Sequence, residues 1–263
     1  MKESAATHAL VRIPLAPVRA EPNVRAELTS QELLGSAVRV LQRHGEWFQT
    51  VGADGYEGWV NAGGLLECSA EVADAWWDEP GGRPALSLDA LLVADDGSPL
   101  VRLPWGARVA TIGDVVLLPD NRRGRLVEGE LVAWEQISAR FAAAGSAVVE
   151  TARLWSGVPY LWGGRTRWGA DCSGFAQAVY RLHGFQLPRD SWQQADYGEP
   201  VEPGSAFEEA RPGDLVFFRA QDSERIVHVA FSLGGQGILH AAVSNGAVQA
   251  DVLGQPPLGT QLA

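Results

Sequence analysis

Cysteine is scarce in this sequence. The 263 residues include only two cysteines, Cys68 and Cys172, and these form no CxxC pair. A disulfide framework needs several cysteines and a structural zinc site needs clustered ones, so neither is indicated. A single bridge between the two thiols is the one disulfide that this composition leaves open.

Basic residues are few relative to acidic ones. Lysine and arginine number 21 against 32 aspartates and glutamates, which gives a formal net charge of -11. A non-specific grip on nucleic acid or on anionic lipid requires the opposite sign of charge. We therefore expect neither a nucleic-acid partner nor a membrane partner.

Long apolar runs are also missing. No stretch approaches the roughly 18 consecutive apolar residues that a membrane-spanning helix requires. Arg12, Pro14, Pro17 and Arg19 interrupt the N-terminal segment, which is therefore unlike a secretory signal peptide. If the chain is complete at Met1, we expect a cytoplasmic protein.

The sequence does contain two regions with the pattern of small β domains. From about Val11 to Leu66, short alternating apolar stretches are separated by His44-Gly45 and Asp54-Gly55, which are typical hairpin turns. From about Leu86 to Ile137 the same pattern recurs more weakly, with DDG, PWG and PDN between the strands. These patterns predict two small antiparallel barrels.

The composition changes near Glu135. The alanine-rich segment from Glu135 to Gly157 predicts a helix, and Cys172 to His183 predicts a second helix that Gly184 caps. Downstream, DLVFF, RIVHVAFSLG, GILHAAV and AVQADVL predict four strands. Helices followed by a sheet indicate an α+β domain, and we predict three domains at 1–70, 71–134 and 135–263.

Cys172 is a candidate nucleophile. It stands in the first turn of its predicted helix, where the free N–H groups and the helix dipole favour a thiolate. His228 and His240 lie on neighbouring predicted strands and are candidates for its base and for a group that orients that base. A buried inert cysteine, core histidines and a Cys-His-His zinc site are the alternatives that these residues leave open.

Four segments carry a family resemblance. In chain order they are GVPYLWGGRTRWGADCSGF, LPRDSWQQA, RPGDLVFF and IVHVAFSLGGQGILHA. They resemble the successive motifs of the NlpC family of bacterial cell-wall peptidases, and the resemblance extends over roughly Glu135 to Leu253. It implies a papain-like α+β catalytic domain, with helices packed on an antiparallel sheet, and two small all-β SH3-like barrels before it.

The resemblance also implies a catalytic mechanism without a cofactor. Cys172 matches the family nucleophile, His228 its base and His240 the third, orienting member. Tyr160 matches a tyrosine whose hydroxyl helps to hold the oxyanion, together with the backbone N–H of Cys172.

The N-terminal half has a narrower resemblance. Barrels of this kind before an NlpC domain are similar to the arrangement of YkfC-type γ-D-glutamyl-L-diamino acid endopeptidases, in which the first barrel closes one end of the cleft. That arrangement implies a substrate with a free N-terminal L-alanyl amine. The substrate-binding residues that it implies are Glu27, Tyr56, Trp162, Asp171, Ser173, Arg189, Asp190 and Ser191.

The sequence thus predicts a monomeric cysteine endopeptidase that acts on muropeptides during cell-wall peptide recycling. Its scissile bond joins D-glutamate, through the γ-carboxyl group, to an L-diamino acid or to meso-diaminopimelate. The alternatives are an endopeptidase for intact peptidoglycan, a non-catalytic module that binds cell-wall peptides, and a thiol acyltransferase.

Overall fold

The chain folds as two compact units, residues 1–136 and 137–263. The computed structural model describes residues 7–78, 81–202, 204, 207–220 and 223–254. The described part contains no helix that is long and apolar enough to span a bilayer. The three-domain division at 1–70, 71–134 and 135–263 stays a prediction, and its terminal segments 1–6 and 255–263 lie outside the described residues.

The first unit begins with a seven-stranded antiparallel sheet in the order β3-β2-β6-β5-β4-β1-β7. Its strands are β1 (His8–Val11), β2 (Leu15–Arg19), β3 (Leu28–Leu33), β4 (Ala37–His44), β5 (Trp47–Val51), β6 (Glu57–Asn61) and β7 (Leu65–Cys68). Val18, Phe48 and Val60 share its core. The predicted turns are confirmed, and Gly45 and Gly55 adopt the left-handed backbone conformation that favours glycine there.

A helix and a second sheet complete the first unit. Helix α1 (Ala70–Asp78) precedes β8 (Arg83–Val93), β9 (Pro99–Arg102), β10 (Arg108–Ile112), β11 (Val115–Leu117) and β12 (Arg123–Ala133). Strand β8 pairs with both β10 and β12, and β11 joins those two, so four strands close into a ring. The DDG, PWG and PDN turns are confirmed; the assignment of this sheet as a second SH3-like barrel stays a prediction.

The two sheets of the first unit share a contact at Leu34 and Gly35. Leu34 is fully buried in the core of the second sheet, beside Leu92 and Leu103. Its carbonyl accepts a hydrogen bond of 2.8 Å from the backbone N–H of Arg108. A Cβ on Gly35 would lie 2.2 Å from the carbonyl oxygen of Arg108, so only glycine allows this approach.

The second unit has helices first and then a sheet, as predicted. The elements before its sheet are α2 (Ile137–Arg140), α3 (Gly145–Arg153), β13 (Arg165–Thr166), β14 (Gly169–Ala170), α4 (Cys172–Leu182) and α5 (Ser191–Ala195). The four predicted strands are confirmed as β15 (Leu215–Arg219), β16 (Ile226–Gly234), β17 (Gly237–Ala242) and β18 (Ala247–Val252), which form an antiparallel sheet in that order.

Aromatic packing holds α4 on this sheet. The ring of Phe175 on α4 lies 4.9 Å from that of Phe231 on β16 and 5.4 Å from that of Trp155, centroid to centroid. All three side chains are almost fully buried. Large rings in edge-to-face contact contribute both apolar burial and a geometric preference, so the start of α4 has a defined position along β16.

The prediction of a single helix from Glu135 to Gly157 is wrong, because the segment forms two helices. The segment breaks after Arg140 and resumes at Gly145. The carbonyl of Ala142 bonds to the ring nitrogen Nδ1 of His183 at 2.7 Å, a tertiary contact that competes with a helical hydrogen bond. A Cβ on Gly145 would lie 2.0 Å from the carbonyl oxygen of Pro212, so this restart also depends on a distant segment.

The first turn of α4 provides a test of this packing. A Cβ on Gly174 would lie 2.1 Å from the carbonyl oxygen of Gly164. We expect Gly174→Ala to lower the free energy of unfolding by about 1–3 kcal/mol, because the loop must move away from α4. Urea denaturation followed by circular dichroism measures this change.

Gly237→Ala is the matched control, because the nearest atom to its added Cβ is a side-chain carbon 3.4 Å away. Equal urea midpoints for the two variants would contradict the close approach of Gly164 to α4.

Candidate active site

Cys172 is the first residue of α4, as the sequence predicts. The backbone N–H groups of Val229 on β16 and of Ser173 both hydrogen-bond to its sulfur and favour the thiolate. Burial and the nearby Asp171 carboxylate outweigh these bonds and raise the pKa of the Cys172 thiol from 9.0 to about 11. The hydrogen bond from Val229 places the thiol against β16, the strand that also carries His228.

The two predicted histidines are in direct contact. His228 on β16 and His240 on β17 are buried, and His228 Nε2 lies 2.7 Å from His240 Nδ1. The other ring nitrogen of His240, Nε2, lies 2.8 Å from Asp251 Oδ2 on β18. Adjacent antiparallel strands thus align two imidazoles and a carboxylate in one chain of hydrogen bonds.

Burial controls the charge of both imidazoles. It lowers the pKa of His228 from 6.5 to about 3, and the proximity of His240 adds to this effect. Burial also lowers the pKa of His240, although the hydrogen bond that its Nε2 donates to Asp251, and the charge of that carboxylate, oppose this change. Near neutral pH, His228 is neutral and its ring has the capacity to accept a proton.

Tyr160 lies on a loop that is anchored on both sides. Its backbone N–H donates to the carbonyl of Gly246 at 2.8 Å, and a parallel bridge joins it to Ala170. Burial raises the pKa of its hydroxyl, and the charges of Cys172 and Asp171 raise it further. The hydroxyl therefore stays protonated near neutral pH and is available as a hydrogen-bond donor.

A buried ion pair supports the start of α4. Arg189 donates to both carboxylate oxygens of Asp171, at 3.1 Å and 2.6 Å, and to the hydroxyl of Ser173 at 2.9 Å. Asp171 also caps α4 by accepting from the N–H of Gly174 at 2.7 Å, and it accepts from that of Gly163 at 2.8 Å. Most acceptor positions of Asp171 are thus occupied within the unit, and its predicted contact with a substrate ammonium stays a prediction.

Two of the remaining predicted binding residues of this unit, Asp190 and Ser191, lie at the start of α5, and the third, Trp162, lies on the loop before β13. Asp190 lies at the N-terminus of α5, where its backbone N–H donates to the side chain of Gln193 at 3.3 Å. Ser191 is buried, whereas Trp162 is 60% exposed. Their roles toward a substrate stay predictions, as do those of Arg189 and Ser173.

Glu27 and Tyr56 belong to the first unit. Glu27 is exposed, and its backbone carbonyl accepts from the N–H of Ala20 at 3.1 Å. Tyr56 is half-buried, and its backbone N–H bonds to Asp54 Oδ1 at 3.0 Å in the turn before β6. Their contribution to substrate binding stays a prediction.

Two residues of this cluster were missed by the sequence reasoning. Asp251 follows His240 in the hydrogen-bond chain, and the side-chain amide of Asn245 donates to the same Oδ2 atom at 2.7 Å. In the sequence, Asp251 reads as one more polar position of the strand AVQADVL. The distance from His240 along the chain carries no signal of this contact, since it depends on strand register.

The zinc alternative for Cys172, His228 and His240 does not fit this arrangement. His228 Nε2 and His240 Nδ1 face each other at 2.7 Å, and His240 Nε2 is bonded to Asp251. Both nitrogens of His240 are thus engaged in hydrogen bonds rather than directed at a shared ion position. Among the described residues, no group of three histidine, cysteine, aspartate or glutamate side chains has the arrangement of a metal site.

The lowered pKa of His228 affects how the free energy of unfolding depends on pH. The unfolded chain binds more protons than the folded one between pH 6.5 and about 3, so the free energy of unfolding falls as the pH falls through this window. Between pH 7 and pH 5, we expect the free energy of unfolding of His228→Gln to fall by about 2 kcal/mol less than that of the wild type. Urea titrations at the two pH values measure it.

His44→Gln is the control for this prediction, because His44 is exposed at the end of β4. An unchanged pH dependence in His228→Gln would show that His228 does not lose a proton on folding.

The Asp171–Arg189 pair can also be tested through its effect on stability. In Asp171→Ala the guanidinium of Arg189, 2% exposed, loses its carboxylate. We expect a loss of about 3–5 kcal/mol in the free energy of unfolding, because the buried guanidinium then loses its bidentate carboxylate partner. Urea denaturation of the double variant Asp171→Ala/Arg189→Leu should show a smaller loss, and a larger, additive loss would contradict the coupling.

Both units of the chain are similar in sequence to known protein families. Residues 157–262 match the model of the NlpC/P60 family, and residues 18–65 match that of the bacterial dipeptidyl-peptidase Sh3 domain. A gamma-D-glutamyl-L-lysine dipeptidyl-peptidase of Bacillus cereus is 27% identical over 245 residues, which cover 88% of this chain and 72% of that protein. A murein DD-endopeptidase and LD-carboxypeptidase of Escherichia coli is 40% identical over 95 residues, 36% of this chain and 47% of that protein.

A solved structure shares the fold. The crystal structure of an NlpC/P60 family protein from Bacillus cereus matches with a TM-score of 0.80 and 22% identity, and the match covers 97% of both chains. The predicted papain-like catalytic domain and the predicted SH3-like domain before it are thereby confirmed. Residues 157–262 form an NlpC/P60 domain, and the protein is a cysteine peptidase that joins this domain to an SH3 domain of the bacterial dipeptidyl-peptidase type.

Proposed function

We propose that this peptidase cleaves the γ-D-glutamyl–L-diamino acid bond of muropeptides with a free N-terminal L-alanine, and that Cys172 is its nucleophile. The observation that carries the proposal is the position of Cys172. Its sulfur lies at the N-terminus of α4 and accepts the N–H of Val229, the residue after His228. The name of the Bacillus cereus relative, a gamma-D-glutamyl-L-lysine dipeptidyl-peptidase, supports the choice of bond.

The first step is a proton transfer coupled to nucleophilic attack. The thiol of Cys172 and the imidazole of His228 are both neutral at rest, since burial raises the pKa of the first and lowers that of the second. As the sulfur attacks the γ-carbonyl carbon of D-glutamate, its proton moves to His228. The carbonyl π bond opens to leave an oxyanion on a tetrahedral carbon.

The oxyanion needs donors that are already in place. The backbone N–H of Cys172 is one of the free groups at the start of α4, and the protonated hydroxyl of Tyr160 is a second donor near the thiol. When the tetrahedral carbon collapses, the C–N bond breaks and His228 gives its proton to the departing amine. A thioester to the L-alanyl-γ-D-glutamyl group remains on Cys172.

Water completes the cycle. His228, neutral again, takes a proton from the attacking water, and the second tetrahedral carbon releases the Cys172 sulfur, which recovers that proton. The products are L-alanyl-γ-D-glutamate and the diamino acid or the peptide that begins with it. No cofactor takes part.

The proposed substrate specificity depends on two charged groups of the substrate, a carboxylate and an ammonium. The α-carboxylate of D-glutamate requires hydrogen-bond donors, and we assign it to Arg189, Ser173 and Ser191 around the start of α4 and α5. For the terminal ammonium of L-alanine, the residues that the family resemblance implies are Glu27, Tyr56 and Asp171, of which Glu27 and Asp171 carry the carboxylates that an ammonium requires. Asp190 and Trp162 complete the proposed substrate contacts.

We further propose that the substrate is a free muropeptide and that the enzyme acts as a cytoplasmic monomer in cell-wall peptide recycling. A requirement for a terminal amine favours small peptides over the intact wall, in which that amine is amide-linked. The Escherichia coli relative with 40% identity is a murein endopeptidase, and this likeness makes intact peptidoglycan the second candidate substrate.

Substitution of the nucleophile tests the reaction. We expect Cys172→Ala to lower the rate of cleavage of L-Ala-γ-D-Glu-L-Lys by at least about 1,000-fold, because the thioester has no other route of formation. Mass spectrometry of the dipeptide product measures the rate. Cys68→Ser is the matched control and should retain activity; equal activity of Cys172→Ala and the wild type would refute the assignment.

Acetylation of the peptide tests the specificity. The N-acetylated tripeptide should be cleaved at least about tenfold more slowly than the free-amine peptide, because the acetyl group removes the ammonium charge. Equal rates would remove the roles proposed for Glu27 and Tyr56, and cleavage of intact peptidoglycan in preference to either peptide would select the second candidate.

A further inference from the structure

Asp251 lies at the far end of the histidine pair from Cys172. Its Oδ2 atom is 2.8 Å from His240 Nε2 and 2.7 Å from the side-chain nitrogen of Asn245. His240 has no exposed side-chain surface, and Asp251 retains only 18%. The carboxylate is thus held by two partners at the edge of the buried pair.

These contacts determine where the protons lie on both imidazoles. A carboxylate only accepts hydrogen bonds, so His240 must carry a proton on Nε2 to bond Asp251. In its neutral form, His240 then presents a lone pair on Nδ1, which accepts a hydrogen bond from the N–H of His228 Nε2 at 2.7 Å. His228 is left with a lone pair on Nδ1, the nitrogen that remains for the proton of Cys172.

Without this carboxylate, the tautomers would not be specified. A neutral His240 bonded only to His228 is free to carry its proton on either nitrogen. With the proton on Nδ1, it would force His228 to accept at Nε2 and to protonate Nδ1, which then has no lone pair for the thiol. Asp251 removes this non-productive arrangement.

The carboxylate also affects the charged state that follows proton transfer. Once His228 holds the proton of Cys172, a positive charge is present among buried groups in a medium of low polarity. Asp171 and Arg189 also act on the thiol, and they are already paired with each other. Asp251 contacts His240, and His240 contacts His228, so the carboxylate of Asp251 lies at the end of the hydrogen-bond chain that holds the positive charge.

We propose that Asp251, held by Asn245, is a positioning residue of the catalytic site that fixes the tautomer of His240 and stabilises the cation formed on His228. The proposal rests on the roles assigned above to Cys172 and the two histidines. Asp251 touches neither substrate nor sulfur; it acts through His240.

The turn that contains Asn245 connects the Asp251–His240 contact to Tyr160. Asn245 lies between β17 and β18, and the next residue, Gly246, accepts the backbone N–H of Tyr160 at 2.8 Å. One hairpin therefore carries His240 and Asp251 and anchors the proposed oxyanion donor. Asp251→Asn is the suitable variant, because it preserves the size of the side chain and leaves this hairpin intact.

Alkylation of Cys172 by iodoacetamide is the test, performed on the full chain with Cys68→Ser so that one thiol reacts. Near neutral pH the rate reports the small fraction of thiolate paired with protonated His228, because the thiol alone ionises only near its pKa of about 11. In the alkaline range the thiol ionises without His228. We expect Asp251→Asn to lower the neutral-pH rate about tenfold or more and to leave the alkaline rate unchanged.

This pattern separates positioning from simple structural damage, which would alter access to the thiol at both pH values. Glu150→Gln is the matched control, since it also removes one carboxylate from this unit but at an exposed position of α3, and it should change neither rate. If Asp251→Asn fails to fold by circular dichroism, Asn245→Ala serves instead, with a smaller fall at neutral pH. An unchanged neutral-pH rate in the folded variant overturns the proposal.

The same variants distinguish this proposal from the proposed function. If the parent cleaves no γ-D-glutamyl peptide but Asp251→Asn still lowers neutral alkylation, the substrate assignment fails and the role of Asp251 stands. If the parent cleaves the tripeptide and Asp251→Asn does so at the same rate, the role of Asp251 fails and the substrate assignment stands.

Discussion

The contact between the N-terminus of α4 and strand β16 is the constraint on which the catalytic unit depends. Phe175 and Phe231 pack this helix against the strand, and the backbone N–H of Val229 reaches the sulfur of Cys172. A helix can slide along a flat sheet by small steps, but interlocking aromatic rings favour one position. That position places the sulfur of Cys172 against the backbone of β16, at the residue after His228, and the proposed mechanism depends on this placement.

The polar groups behind this contact are arranged in two separate buried systems. On the side of α4, Asp171 pairs with Arg189 and caps the helix. On the side of the sheet, His228, His240 and Asp251 form a chain. Each system satisfies its own charges, which matters because unpaired buried charges are costly. In the proposed mechanism a proton passes between the two systems, from the sulfur of Cys172 to the imidazole of His228, and burial favours the neutral form of both groups at rest.

Local sequence signals predicted the elements of this unit well. Alternating apolar residues marked the four strands, and the apolar repeat from Cys172 to His183 marked α4. The signals failed where a distant residue competes with a local bond. The alanine-rich segment after Glu135 has strong helical propensity, yet the contact of Ala142 with His183 divides it. Propensity describes a chain that has only its own neighbours, and His183 is a neighbour only in the folded unit.

The sequence by itself determined the order of the elements and, through four ordered motifs, the family they resemble; it also marked Cys172, His228 and His240 as candidate site residues. Periodicity and caps act over a few residues, so they can be read from the chain alone. Only the tertiary structure decided which nitrogen meets which partner, and that Asp251 and Asn245 follow His240. Those contacts depend on the register of β17 against β18, in which a shift of one residue would turn Asp251 to the opposite face of the sheet.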